Sequence, residues 1–92
     1  MENGKEQQLR KIRTELKEMF VKDLGLEDIK PGEIRDDEVL FGEGLGLDSL
    51  DAVEIVVLLQ RHYGVEVKNM EQGKEIFSTI DTVANFIYES KK

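Results

Sequence analysis

The stretch of sequence that decides the fold reads Gly44-Leu45-Gly46-Leu47-Asp48-Ser49-Leu50-Asp51. Its glycines end a long loop, and the residues that follow begin a helix. Asp48 is a good N-cap, because a carboxylate there accepts hydrogen bonds from the free N–H groups of a first helical turn. Asp51, three residues later, completes a capping box with a shorter acid than usual. The stretch therefore predicts a loop-to-helix junction with Ser49 at the first helical position.

The helix that begins at Ser49 is predicted to end near His62, because Gly64 follows as a natural stop. Its sequence is apolar on most faces. One stripe consists of Leu50, Val53 and Val57, and other apolar residues fill the remaining faces. Such a helix either lies at the centre of a core or shows apolar surface to a partner.

An amphipathic helix is predicted before this one, over residues 6–23, and Gly25 ends it. Steps of three and four residues define its apolar stripe, which comprises Leu9, Ile12, Leu16, Met19 and Phe20. Residues 24–47 are loop-like but carry scattered apolar side chains. We expect this loop to be pinned to a core, with a short helical turn near residues 36–41.

Two shorter helices are predicted after the central one. The first lies near residues 73–77, and the second starts with Ser78 as its cap and Asp81 in its acidic first turn. Its apolar face comprises Ile80, Val83, Ala84, Ile87 and Tyr88. The predicted fold class is all-α, a small antiparallel bundle of three main helices with a short helix before the last.

Length and composition indicate one soluble domain over residues 1–92, with residues 1–5 and 91–92 frayed. The longest apolar run, residues 55–59, is far shorter than the roughly 20 residues of a membrane span, so no membrane insertion is expected. The polar N-terminus lacks the apolar stretch of a secretory signal. With no cysteine, the chain has no thiol nucleophile, no disulfide and no thiolate metal site. We expect a cytoplasmic monomer.

The net charge of −7 is concentrated in one segment. Residues 27–54 hold ten acidic and two basic residues, a net charge of −8, and the rest of the chain carries +1. This charge disfavours binding to nucleic acid or to an anionic membrane and suits proteins with basic patches. A solvated loop that merely keeps the protein soluble has the same composition, so charge alone leaves both interpretations open.

Ser49 is the candidate functional residue of the junction. A side chain at the first helical position points outward, and the N–H groups of a helix start favour a nearby phosphate. The acids Asp48 and Asp51 would repel a phosphodiester and suit a basic enzyme or a weakly bound divalent cation. Spacing alone leaves open that Ser49 is an ordinary first-turn serine.

The run Gly46-Leu47-Asp48-Ser49-Leu50 resembles the attachment motif of acyl carrier proteins. The resemblance extends over about residues 8–90, including the long loop, the helix after Ser49 and the last helix. It implies a non-catalytic carrier whose serine, here Ser49, holds 4′-phosphopantetheine transferred from coenzyme A. The transfer would be made by a separate phosphopantetheinyl transferase, the holo-carrier synthase, with magnesium. The thiol of the arm would carry acyl groups as thioesters in fatty acid, specialised lipid or polyketide biosynthesis.

The resemblance and the residue pattern together suggest roles for the residues around Ser49. Acyl-loading and acyl-processing enzymes with basic patches would contact Asp48, Leu50, Asp51, Glu54 and Ile55. The acyl chain or the core would be lined by Leu50, Val53, Val57, Phe41 and Ile80. The far end of this helix reads Gln60-Arg61-His62, where the familiar fatty-acid carriers are acidic, which hints at a dedicated pathway.

Two other features of the sequence give little evidence of function. His62, the one histidine, lies near a helix end and is interpreted as a surface or capping residue. Gly73-Lys74 is not a P-loop, because Lys68 and Glu75 stand where that motif needs other residues. A peptidyl or aminoacyl carrier, and an unmodified interaction module of the same fold, remain alternative functions.

Overall fold

The computed structural model describes residues 4–26 and 28–90, and of Met70 the backbone. Its helices are α1 (Gly4–Asp23), α2 (Ser49–Tyr63), α3 (Met70–Ile76) and α4 (Ile80–Ser90), with one 3-10 turn, Pro31–Glu33. The described residues contain isolated β-bridges but no strand. The all-α prediction of three main helices and a short one before the last is therefore confirmed. None of the described helices is both long enough and apolar enough to cross a membrane.

Helix α1 begins at Gly4, two residues earlier than predicted, so Gly4 and Lys5 are already helical. The predicted fraying of residues 1–3 and 91–92 falls outside the described residues. The predicted end is confirmed: Gly25 adopts a left-handed φ of 69°, which glycine tolerates without strain. The N–H of Leu26 donates to the carbonyl of Val21 at 3.1 Å and closes the turn. The predicted stripe is buried throughout: Leu9, Ile12, Leu16, Met19 and Phe20.

Helix α2 begins at Ser49 as predicted and ends at Tyr63, where Gly64 has a φ of 68°. Its buried face differs from the predicted stripe. Leu50, Val53 and Val57 are 80%, 57% and 39% exposed, so they do not line the core. The core side is formed instead by Ala52, Ile55, Leu58 and Leu59. Because nearly every face of this helix is apolar, its periodicity could not select the buried one.

Helix α3 is longer than predicted, and the cap of α4 lies one residue later. Asn69 begins α3 by accepting the N–H of Gln72 at 2.8 Å. Thr79 and Thr82 cap α4 reciprocally, each backbone N–H donating to the other side-chain oxygen, at 2.9 and 3.1 Å. The prediction of Ser78 as the cap is therefore wrong, whereas Asp81 lies in the acidic first turn as predicted. The hydroxyl of Ser78 is instead within 3.3 Å of two carbonyl oxygens at the end of α3.

The long loop between α1 and α2 is pinned to the core through Ile34, Leu40 and Leu47, as expected from its apolar residues. The helical turn predicted near residues 36–41 is absent from the structure. A tight turn closes there instead, with the N–H of Glu38 donating to the carbonyl of Arg35 at 3.1 Å. Leu40 then donates to the carbonyl of Ser78 and accepts from the N–H of Leu47, both at 3.1 Å. These pairings use the backbone groups that a helical turn would have needed.

An ion-pair cluster fastens the same loop to α1 and α4. Lys17 Nζ lies 2.6 Å from one oxygen of Asp36, and Arg13 Nε lies 3.6 Å from the other. Arg13 also reaches Asp81 at 3.2 Å, and the N–H of Asp81 donates to the carbonyl of Asp36 at 2.8 Å. The hydrogen bond from Lys17, with the charges of Lys17 and Arg13, lowers the pKa of Asp36 although partial burial opposes this.

Candidate functional site

Ser49 is the first residue of α2 and is exposed to solvent. Asp48 precedes it in an extended conformation, and its Oδ1 accepts the N–H groups of Leu50 and Asp51 at 3.0 and 3.2 Å. Asp51 returns the interaction by accepting the N–H of Asp48 at 3.0 Å. The predicted capping box is confirmed. It holds the backbone at Ser49 rigidly, because both neighbours of the serine are tied by short hydrogen bonds.

The capping box also changes the expected electrostatics of the junction. The N–H groups of Leu50 and Asp51 already donate to Asp48, and that of Ala52 donates to the carbonyl of Asp48 at 3.0 Å. A phosphate attached at Ser49 would therefore find these donors occupied. The expectation that the helix start itself accommodates a phosphate stays a prediction.

A groove of about 450 Å³ opens beside Ser49. The start of α2, the end of the long loop and the middle of α3 form its walls. Its exposed surface is mainly apolar, and its lining residues are Phe41, Leu47, Asp48, Ser49, Ala52, Gly73 and Lys74. A serine hydroxyl at the mouth of an apolar groove can hold a covalent arm, and the groove can shield apolar cargo from water. This combination fits a phosphopantetheine arm.

The structure separates the predicted partner residues into exposed and buried sets. Leu50 is 80% exposed, Glu54 is exposed, and Asp51 is half-buried. Ile55 is fully buried and therefore cannot contact a partner enzyme directly, which corrects its predicted role. It faces the core because it lies on the same side of α2 as Leu59, one helical turn away.

The structure also separates the predicted lining residues into groove residues and core residues. Phe41 is half-buried and lines the groove. Ile80 is fully buried in the core and is not among the groove residues. Sequence reasoning missed Gly73 and Lys74 as groove residues. Nothing in their local pattern points to Ser49, because α3 comes beside α2 only through the tertiary fold.

The weak divalent site predicted at Asp48 and Asp51 would have limited ligands. One oxygen of each carboxylate is already engaged in the capping box. Among the described residues, no group of three or more acidic or histidine side chains lies close enough to hold a metal ion. Any cation here would therefore rely on two carboxylates and water.

The far end of α2 has a different character. His62 is exposed there, and the neighbouring Tyr63 donates its hydroxyl to Glu15 of α1 at 2.9 Å. Burial, together with this carboxylate, raises the pKa of Tyr63. Since Ser49 begins the helix and Tyr63 ends it, about 21 Å of helix separates the two. This end is joined to α1 and takes no part in the groove.

Comparison with known proteins agrees with the geometry. Residues 14–87 match the family described as "Phosphopantetheine attachment site". The chain is 34% identical to the acyl carrier protein of Wolinella succinogenes over 77 residues. This matching stretch covers 84% of this chain and 93% of the relative. The chain therefore belongs to the acyl carrier protein family, whose members are carriers rather than catalysts and whose covalent cofactor is 4′-phosphopantetheine.

Proposed function

We propose that Ser49 is the residue that carries the 4′-phosphopantetheine arm and that the arm bears acyl groups as thioesters. The observation that carries this proposal is the exposed hydroxyl of Ser49 at the mouth of the apolar groove. The serine lies within the segment that matches the phosphopantetheine attachment family. The capping box ties the backbone on both sides of the exposed Ser49.

The attachment reaction requires one bond to form and one to break. Ser49 Oγ bonds to the phosphorus next to the pantetheine part of coenzyme A. The pyrophosphate bond of coenzyme A breaks, its nucleotide portion leaves, and the serine proton passes to a base of the transferase or to water. The chain has no cysteine, so an acyl thioester on this protein needs the thiol of the arm.

We propose that partner enzymes dock on the exposed face of α2. This face combines the apolar side chains of Leu50 and Val53 with the nearby acids Asp51 and Glu54. Basic patches would recognise the acids, giving fast and reversible association, which suits a shuttle. The non-acidic end of α2 supports a dedicated pathway, in specialised lipid or polyketide synthesis or a related branch of fatty acid synthesis.

The test is incubation with coenzyme A and a promiscuous phosphopantetheinyl transferase, followed by intact-mass measurement. We expect the mass to rise by one phosphopantetheine in the wild type. Ser49→Ala should abolish the rise, and Ser90→Ala, an exposed serine at the end of α4, should leave it unchanged. An unmodified wild type, or a Ser49→Ala variant that is still modified, would refute the proposal.

The mass gain and the identity of the cargo together separate the two alternative functions. An unmodified interaction module would gain no mass. A peptidyl or aminoacyl carrier would be modified, but the cargo recovered from cells would then contain an amino acid. We expect recovery of a nitrogen-free acyl chain by mass spectrometry of the released thioester.

A further inference from the structure

The exposed side of α2 does not keep one charge along its length. Residues three or four apart share a face of a helix. One such face forms an exposed row, which consists of Leu50, Glu54, Val57 and Arg61. Its two apolar members are 80% and 39% exposed, whereas Ile55 on the opposite side is fully buried. The exposed row is therefore apolar surface that also carries one acid and one base.

The acid and the base of the exposed row lie toward opposite ends of the helix. Glu54 lies near the start of α2, and the half-buried Asp51 adds a second acid there. Arg61 follows Glu54 by seven residues, which is about 10 Å along the helix axis. Since Ser49 begins the helix, the proposed attachment point lies at the acidic end of the row.

The fold gives Arg61 no structural task on this face. Two other arginines, Arg13 and Arg35, are held by carboxylates in ion pairs of 3.2 and 3.1 Å. Arg61 is exposed and makes no ion pair with any residue that the structure describes. A cation in the last turn of a helix interacts favourably with the helix dipole, but the dipole does not select a face. Neither effect accounts for the place of Arg61 on the exposed row.

We infer that the exposed row docks on an enzyme surface of mixed charge, with basic side chains opposite Glu54 and an acidic side chain opposite Arg61. This inference rests on the proposed docking on α2 and names the chemistry of the partner. The partner is an acyl-processing enzyme whose acid lies about 10 Å from its basic patch, with apolar surface between them. An enzyme whose patch is basic throughout would repel Arg61.

Two opposite charges on one row also fix the direction of docking. In the reversed orientation Glu54 would meet an acid and Arg61 would meet a base, which lowers affinity. Because the proposed arm begins at the acidic end, one orientation brings it to the basic patch of the enzyme and the other carries it away. Arg61 is thus a specificity-determining residue and takes no part in bond making.

The test measures dissociation constants of the holo-protein by isothermal titration calorimetry, after modification has been verified by intact mass. The first probe is a bacterial ketosynthase chosen because its carrier-binding patch is wholly basic. The second set comprises the ketosynthases and acyltransferases of the organism that encodes this chain, and its tightest binder is taken forward. The measurements are made in 0.1 M salt, where charges more than about 10 Å apart are largely screened.

Arg61→Glu should shift the two dissociation constants in opposite directions. It should tighten binding to the wholly basic ketosynthase and weaken binding to the organism's own enzyme, each by about three- to tenfold. This range follows when an exposed attraction becomes a repulsion, or the reverse. Both shifts should shrink in 1 M sodium chloride. Unfolding cannot produce this pattern, because it would weaken both complexes.

Three further variants serve as controls. Arg61→Lys keeps the charge and should bind both enzymes as the wild type does. Lys11→Glu makes the same charge change as Arg61→Glu on an exposed part of α1, outside the row, and should shift neither constant. Glu54→Lys should weaken binding to both enzymes, because both recognise the acidic end of the row.

The outcomes separate this inference from the proposals on which it rests. An unmodified wild type would refute attachment at Ser49, and an unchanged affinity of Glu54→Lys would refute docking on α2. With both of those intact, three results would overturn the mixed-charge partner alone. These are an Arg61→Glu variant that shifts neither constant or shifts both in the same direction, equal shifts in Lys11→Glu, and a wild type that binds none of the organism's own enzymes.

Discussion

Replacing Asp48 by alanine tests the junction on which the site depends. The Asp48 side chain accepts hydrogen bonds from two backbone N–H groups of the first turn of α2. The backbone N–H of Asp48 donates to the side chain of Asp51. Alanine removes the acceptor and leaves both first-turn donors to water. We expect the protein to remain folded but to lose stability, because the helix that positions Ser49 then begins without a cap.

The expected loss follows from the two interactions that the carboxylate makes. Loss of an N-cap acceptor costs about 0.5–2 kcal/mol, with a typical value of ~1 kcal/mol. The favourable charge at the helix start contributes about 0.3–1 kcal/mol at low salt, partly within that figure. We therefore expect Asp48→Ala to lose about 1–2 kcal/mol. In a domain of this size, each 1 kcal/mol lowers the melting temperature by about 4–8 °C.

The assay is urea unfolding followed by circular dichroism, with Asp48→Asn as the matched variant. Asparagine keeps an acceptor at the cap but removes the charge, so it should lose only the charge contribution. That smaller loss should shrink in 1 M salt, where charges are screened over about 3 Å. The reasoning is refuted if Asp48→Ala is as stable as the wild type, or if Asp48→Asn loses as much as Asp48→Ala.

Three further predictions concern the long loop. Gly44→Ala should destabilise the protein strongly, since its Cβ would overlap the carbonyl of Val39, whereas Gly32→Ala meets open space and should leave the urea midpoint unchanged. The pKa of Asp36 is lowered in the folded state, so its stabilisation should be present above its unfolded pKa of about 3.9 and vanish as pH falls through the lower folded value. Asp36→Asn should flatten the acid side of the stability curve, and an unchanged curve would contradict this assignment. Because the acids of residues 27–54 repel one another, magnesium chloride should raise the melting temperature more than sodium chloride of equal ionic strength, and equal shifts would indicate screening alone.

The sequence predicted the features whose physical causes are local. The apolar stripe of α1 repeats every three or four residues, and the same residues are buried in the structure. The cap at Asp48 and the stop at Gly64 depend on residues within one helical turn of each end. The motif around Ser49 lies within the segment that matches the attachment family.

The errors have one local cause and one long-range cause. Ser78 looked like a cap for α4, but its hydroxyl lies against the carbonyls that end α3, and Thr79 takes the cap. Residues 36–41 looked helical, but the backbone of Leu40 pairs with Ser78 and Leu47 instead. Local pattern cannot anticipate a partner that is nearly 40 residues away.

At the site itself, the sequence alone determined that a helix begins at Ser49 behind an acidic cap, since capping is settled by neighbours in the chain. Only the tertiary structure decided which face of that helix is buried, because almost all of its faces are apolar. Packing buries Ile55 and exposes Leu50 and Val53. It also brings Gly73 and Lys74 beside Ser49, for which no sequence periodicity exists, since residues of two separate helices share a groove only after the chain has folded.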